Sequence, residues 1–390
     1  MRLKTLKNVN LKGKKVLLRA GFDVPLDKKG IITDEARIRE SLPTIKYLIK
    51  SGAKVIIISH NGRPDGKFVK KLAMDAVAKR LSRLLKRRVN KLNDCVGQKV
   101  LAFVSKMKAG QVVLLENLRF HKEEEKNDPG FAKKLAGLGD LYVNDAFANC
   151  HRQHASVVAI TRYLPSYAGF LVEKEVVALS EILMNPRHPF VAIVGGAKTS
   201  DKLRTIINLF KKTDALLIGG AIANTILKAQ GLQVGRSLVE PGMISKVKKL
   251  NLTDVRLKIP VDVIVSKRIS PASKAWSRPA GKVKKDEIIL DIGEDTIKLY
   301  KAIIKKARQI VWAGPMGYFE ILKFAAGSFE IAKTLAQSRA KTLVGGGDTL
   351  HVLDKLGLKN KIGFVSTGGG AMLKFLEGDM LPAIKPLINK

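Results

Sequence analysis

The chain offers little sulfur chemistry: two cysteines in 390 residues, Cys95 and Cys150, with no CxxC or Cys/His spacing around them. That pattern excludes a disulfide framework and suggests no zinc site. No run reaches the ~18 consecutive apolar residues of a membrane helix. The opening MRLKTLKNVNLKGKKVLLRA lacks the apolar stretch of a signal peptide. A cytosolic chain that does not engage a membrane is expected. Negative charge is scarce: 34 Asp and Glu face 71 Lys and Arg, a formal net charge of +37. Such a field attracts anions. The basic residues are scattered, with one denser run from Lys79 to Lys91, and no RNA- or DNA-binding motif accompanies them. Most are therefore read as solvated surface, with nucleic-acid binding kept as a distant alternative. A Walker GxxxxGK[ST] loop and a clean GxGxxG are also missing, which argues against a P-loop NTPase and a nicotinamide dehydrogenase.

What is present is a globular composition, 46% hydrophobic and 27% charged, in a chain long enough for two domains. Short apolar runs alternate with amphipathic ones. Candidate strands are Lys15–Ala20, Lys54–Ser59, Gln111–Leu115, Leu141–Asn144, Phe190–Val194, Ala215–Ile218, Gln309–Trp312, Thr342–Val344 and Gly363–Ser366. Helical patterns include Leu72–Arg88, Glu173–Leu183, Asp201–Phe210 and Tyr300–Lys306. Continuous apolar strands alternating with helices predict parallel sheets covered on both faces. Two such series occur, separated by a helix and the turn signal Asn185-Pro186-Arg187-His188-Pro189.

The second series repeats one device: a strand runs into glycines and a helix follows. It occurs at Gly195-Gly196-Ala197-Lys198, Gly219-Gly220, Gly345-Gly346-Gly347-Asp348 and Gly368-Gly369-Gly370. In open α/β sheets ligands bind at the carboxyl ends of strands, and amides at a helix start favour phosphate. One glycine pair would be a tight turn; four in one domain point to a phosphate or nucleotide site. Lys198 in the first loop is read as a phosphate contact, with Lys202 one helical turn on. Asp348 is either a helix N-cap or a carboxylate that holds Mg²⁺ against phosphate oxygens, and the metal role is preferred.

The first series carries Arg19, Arg37, His60, Arg63, Arg119, His151, Arg152 and His154 in loops at strand ends. Singly each arginine would be a surface ion pair. Together they suggest convergence on a carboxylate or phosphate. His154 is equally well a structural histidine.

The segments Leu18–Pro25 (LRAGFDVP), Ser59–Pro64 (SHNGRP), Leu115–Phe120 (LENLRF), Val143–Ser156 (VNDAFANCHRQHAS) and Gly195–Lys202 (GGAKTSDK) resemble phosphoglycerate kinases. So do Asp291–Gly293 (DIG), Val311–Glu320 (VWAGPMGYFE), Gly345–Thr349 (GGGDT) and Ser366–Ala371 (STGGGA). The resemblance runs over nearly the whole chain. It implies two Rossmann-like, doubly wound parallel-sheet domains joined by a hinge helix. The expected bounds are 1–168 for a phosphoglycerate-binding domain, 169–186 for helix and hinge, 187–370 for a nucleotide-binding domain, and 371–390 for a tail returning to the first. The implied reaction is reversible phosphoryl transfer between 1,3-bisphosphoglycerate and ADP, giving 3-phosphoglycerate and ATP, with Mg²⁺, in a cytoplasmic monomer. Hinge closure would exclude water from the acyl phosphate.

Position by position, the resemblance assigns Arg19, Asp23, Arg37, His60, Arg63, Arg119 and Arg152 to the acid. Lys198, Lys202, Gly219, Gly220, Gly293, Pro315, Glu320, Gly346, Gly347, Asp348 and Thr349 go to the nucleotide. Asp348 would hold the metal, Glu320 the ribose hydroxyls, and Gly293 would line the adenine pocket. Arg37, Lys198, Gly369 and Gly370 would act at the transferring phosphoryl group. Three positions depart from the family. Gly21 stands where it has Asp, Asp23 where it has Asn, and Ala313 where an Asn contacts the nucleotide. They imply a weaker substrate grip or altered specificity, so a related kinase for another phosphorylated acid is the alternative.

Overall fold

The computed structural model describes residues 1–389. The chain divides into two compact units, Met1–Val177 with Met380–Lys390, and Ala178–Asp379. Unit 1 holds strands β1 (Lys15–Ala20), β2 (Lys54–Ile58), β3 (Val89–Lys91), β4 (Val112–Leu114), β5 (Leu141–Asp145) and β6 (Ser166–Ala168) in one sheet of order β3-β4-β2-β1-β5-β6. Every pairing in it is parallel. Its helices are α1 (Ala36–Lys50), α2 (Asp75–Leu85), α3 (Gln98–Ser105), α4 (Lys122–Glu125) and α5 (Pro129–Ala136), and α6 (Phe170–Met184) leads out of it.

Side chains on a strand alternate between faces. On β1 and β2, Val16, Leu18, Val55 and Ile57 join the core on one side of the sheet, while Leu17, Ile56 and Ile58 join the core on the other. Two covered faces are why these strands read as unbroken apolar runs. Each fully buried Ile or Leu contributes ~1.5–3 kcal/mol.

Unit 2 repeats the plan. Its main sheet uses β7 (Phe190–Val194), β8 (Ala215–Ile218), β10 (Leu257–Lys258), β15 (Gln309–Ala313), β16 (Lys341–Gly345) and β17 (Phe364–Ser366), in order β10-β8-β7-β15-β16-β17, all parallel. The helices are α7 (Leu203–Phe210), α8 (Gly220–Ala229), α9 (Pro241–Val247), α10 (Glu294–Lys306), α11 (Ala326–Gln337), α12 (Gly347–Lys355) and α13 (Gly370–Leu376). A separate antiparallel sheet joins β11 (Asp262–Ser266) with β12 (Trp276–Pro279) and β14 (Ile288–Ile292). A two-stranded pair joins β9 (Gln233–Val234) and β13 (Lys282–Val283).

The observed divisions differ from the expected bounds at 168 and 370. α6 is continuous across the first. At its start, Thr44 Oγ1 accepts from Phe170 N at 3.0 Å and Asp145 Oδ1 accepts from Leu171 N at 2.9 Å, tying it to unit 1. Its last turn meets unit 2, where Lys341 pairs with Glu181. Residues 371–379 belong to unit 2, because α13 packs on α7 and Asn208 Nδ2 donates to Leu376 O at 2.7 Å. From Met380 the chain returns to unit 1, where Leu387 O accepts from Lys4 N.

Candidate active site

In unit 2 the strand order reverses between β7 and β15, and such a switch point opens a ligand crevice at the strand ends. The loops leaving these two strands interlock there. Gly195 N donates to Ala313 O at 3.1 Å and Gly196 N to Pro315 O at 2.8 Å. Lys202 fills the junction: its Nζ donates to Gly195 O at 2.5 Å and lies 3.4 Å from Ala313 O. Burial pulls its amine down to about 8, opposed by Asp348 and then Asp201. A half-buried cation held by two carbonyls lacks a full counter-charge, and a phosphate would supply one.

Gly220 explains the glycine at this turn. Its φ is +61°, and a Cβ there would lie 2.6 Å from Gly196 N and 2.7 Å from Gly196 O. Any side chain would push the two loops apart.

Beside this junction is a cavity of about 370 Å³, lined mainly by apolar groups that include Leu238, Ile269, Ile289 and Met316. Gly220 and Pro315 line it as well, and Glu320 and Asp348 bring exposed carboxylates to it. An apolar slot with acids and buried amine nearby suits a flat base, a ribose and a phosphate chain. Asp348 stands in the first turn of α12 with its carboxylate exposed. Mg²⁺ commonly takes one or two carboxylates plus phosphate oxygens, so this exposed carboxylate fits that ion.

The other expected residues differ in depth and placement. Lys198 is exposed in the loop after β7; the enclosed amine is Lys202. Gly293 does not line the slot. It sits behind the wall at the start of α10, where a Cβ would lie 2.1 Å from Asp262 Oδ2, and Ile288–Ile292 form the wall instead. Thr349 is fully buried, and its Oγ1 accepts from Gly314 N at 2.7 Å, so its hydroxyl fastens α12 to the loop after β15. Gly219 packs against Met316, Gly346 and Gly347 begin α12, and Gly369 and Gly370 begin α13. The slot's antiparallel wall escaped sequence reading, although the run Ile288-Ile289-Leu290 was a legible signal. Asn224, another slot residue, carried none.

In unit 1 the basic residues come from the ends of β1 and β2, the start of α1 and the segments after β4 and β5. Arg37 Nη1 donates to Asp23 O at 2.8 Å and meets Asp23 Oδ2 at 3.2 Å. Asp23 Oδ1 accepts from Gly62 N at 2.9 Å. Arg119 Nη1 donates to Gly62 O at 2.8 Å and its Nε faces Glu125 at 3.1 Å, while Nη2 is buried without a partner. Arg63 is exposed and Arg152 half-buried. An unpartnered buried guanidinium nitrogen among further arginines is an anion-binding arrangement.

Two members of the predicted set lie beneath it. Arg19 is 1% exposed. Its Nε donates to Ser156 Oγ at 2.9 Å and its Nη2 lies 3.1 Å from His60 Nδ1. Arginine can only donate, so His60 Nδ1 accepts and the ring proton sits on Nε2, 3.8 Å from Asp23 Oδ2. Burial, then Arg19 and Arg119, hold His60 well below its usual value, and it is neutral. His60 is 2% exposed and stands between Arg19 and Asp23. His154 is also mostly buried, pulled down to about 3 by desolvation and the arginines. Glu124 completes the support: its carboxylate accepts from Ser156 N and Oγ at 2.9 and 2.6 Å. In sequence it is one of three consecutive glutamates and nothing distinguishes it.

The family profile described as phosphoglycerate kinase matches residues 6–379. Phosphoglycerate kinases of Pelotomaculum thermopropionicum and Dictyoglomus turgidum are 47% and 49% identical, the first covering 100% of both chains and the second 99% of this chain and 98% of its own. The phosphoglycerate kinase structure from Coxiella burnetii superposes with a TM-score of 0.89 at 42% identity, and that from Pyrococcus horikoshii with 0.85 at 34%. Each covers 99% of this chain and 98% of its own. With an arginine cluster in one unit and a glycine-lined slot in the other, these matches place the chain in the phosphoglycerate kinase family.

Proposed function

We propose that the protein transfers a phosphoryl group reversibly between the acyl phosphate of 1,3-bisphosphoglycerate and ADP, giving 3-phosphoglycerate and ATP. The observation that carries this reading is the pairing of two anion sites of different character on a full-length family match. One is a guanidinium cluster suited to a small phosphorylated acid. The other is the half-buried Lys202 amine beside an apolar slot of nucleotide size.

Both nucleophiles, a carboxylate and a nucleotide phosphate, are already anionic, so no general base is required. The protein's task is alignment and neutralisation of charge. Arg119, Arg63 and Arg152 hold the acid, and Arg37 sits closest to its carboxyl once released from Asp23. Lys202 neutralises phosphate oxygens, and exposed Lys198 is free to swing onto the transferring group. Amides of Gly369 and Gly370 at the start of α13 add donors. Asp348 would hold Mg²⁺, which when bound offsets phosphate charge. Glu320 would accept from the ribose hydroxyls. In this reading the enzyme is a cytoplasmic monomer; among the described residues no helix is long and apolar enough to cross a membrane.

A coupled assay with ATP, Mg²⁺ and a panel of phosphorylated acids tests the proposal. Turnover with clear preference for 3-phosphoglycerate is expected. Folded protein inactive on it, or preferring another acid by kcat/KM, refutes the assignment.

A further inference from the structure

The loop from β3 to α3 and the segment after β4 meet because these strands are paired, with Leu92 N donating to Leu114 O at 3.0 Å. The pairing brings together three side chains that the proposed phosphoryl transfer does not use: Asp94, Cys95 and His121. One potential ligand atom from each lies within 4.8 Å of the other two. His121 Nε2 is 2.8 Å from Asp94 Oδ1, and Cys95 Sγ points at Glu116 O at 2.9 Å. The imidazole is held by stacking on Phe131, with ring centroids 5.0 Å apart and planes inclined by 29°. Asp94 is half open to solvent and His121 partly open, while Cys95 is fully buried beneath them, so an ion would enter from the Asp94–His121 side. Lys91, at the end of β3, is paired with Glu116 and Asp75.

We propose that Asp94, Cys95 and His121 bind a zinc-type dication, with water in the fourth position. The donor set selects the metal: thiolate and imidazole favour zinc and cobalt, whereas Mg²⁺ and Ca²⁺ require oxygen shells. In a tetrahedral site with bonds of ~2.0–2.3 Å, ligand atoms stand ~3.3–3.6 Å apart. Closing the present triangle therefore takes side-chain adjustments of ~1 Å. On binding, the Cys95 S–H bond breaks, its proton leaves to solvent, and a sulfur lone pair forms the metal bond. The spacing of a 94–95 pair and a distant 121 matches no linear zinc pattern, which is why reading the sequence suggested no site; only strand pairing assembles it.

The test is titration of the full-length, chelator-treated protein with Co²⁺. Expected is a near-ultraviolet thiolate-to-cobalt charge-transfer band that saturates at one equivalent, is displaced by Zn²⁺, and is indifferent to Mg²⁺. The band should vanish in Cys95→Ala and persist in Cys150→Ala. Asp94→Asn and His121→Gln alter accessible side chains, and each should weaken binding roughly 10-fold or more. Absence of the band in the parent protein, or its survival in Cys95→Ala, overturns the proposal. So does unchanged affinity in both Asp94→Asn and His121→Gln, which would reduce the cluster to a hydrogen-bonded loop tie.

Discussion

Lys202→Met should make the ligand-free protein more stable and the enzyme much worse. The ordinary lysine value of 10.5 falls to about 8 here, chiefly through burial. That difference corresponds to ~3 kcal/mol spent on keeping the amine charged at neutral pH. Methionine removes the charge and keeps the aliphatic stem, but leaves Gly195 O without its donor, which costs about 1–2 kcal/mol. The net is stabilisation of ~1–2 kcal/mol at pH 7. The sign with pH follows from linkage. Below about 8 native and unfolded chains both hold the proton and the penalty is complete. Between 8 and 10.5 the native state releases it first, so parent stability rises with pH. The variant lacks that rise. Both tryptophans, Trp276 and Trp312, lie in unit 2, so urea unfolding followed by tryptophan fluorescence reports on the unit that contains Lys202. The midpoint should move up by roughly 0.5 M at pH 7. Meanwhile kcat/KM should fall ~10²–10³-fold, the usual effect of deleting a preorganised charge contact. A variant less stable than the parent at pH 7, or with the same stability slope between pH 8 and 10, would show that the amine is not held at a penalty.

Asp23→Asn removes a carboxylate that engages Arg37 at 3.2 Å, in a pair whose side chains are 42% and 37% exposed. Such pairs are worth ~0–1 kcal/mol, so stability should hold while KM for the acid drops about 2- to 5-fold; an increase in KM refutes the idea that Asp23 competes for Arg37. Arg19→Met strips Glu124 of its buried cationic neighbour and should destabilise unit 1 by about 3–5 kcal/mol, measured by calorimetry. A loss of acid affinity without loss of stability would instead return Arg19 to the ligand. Gly220→Ala must place its Cβ against the Gly196 backbone at a φ of +61°. It should cost about 2 kcal/mol or more and raise nucleotide KM, and normal nucleotide binding would refute the interlocked-loop account.

The alternation of apolar runs with helical periods was enough to read two parallel α/β units, because strands covered on both faces have no polar side to hide. β1, β2, β5, β7 and β8 lie where their composition puts them, within a residue. The glycine turns likewise announced where loops meet closely, since a backbone that must approach another backbone excludes side chains, and that exclusion is written in the residue type. Depth was not legible. Arg19 and Arg63 look alike in sequence, yet one is sealed under Ser156 and His60 and the other is exposed. Lys198 and Lys202 lie four residues apart in one loop, and only the crossing of β7 beside β15 decides which amine is buried. Gly293 and the Ile288–Ile292 wall exchanged roles because the antiparallel strand β14 turns its residues toward the slot. Residue chemistry is local and survives in the sequence; which groups lose water, and which acquire partners, depends on strand order and loop crossing, and those exist only once the chain has folded.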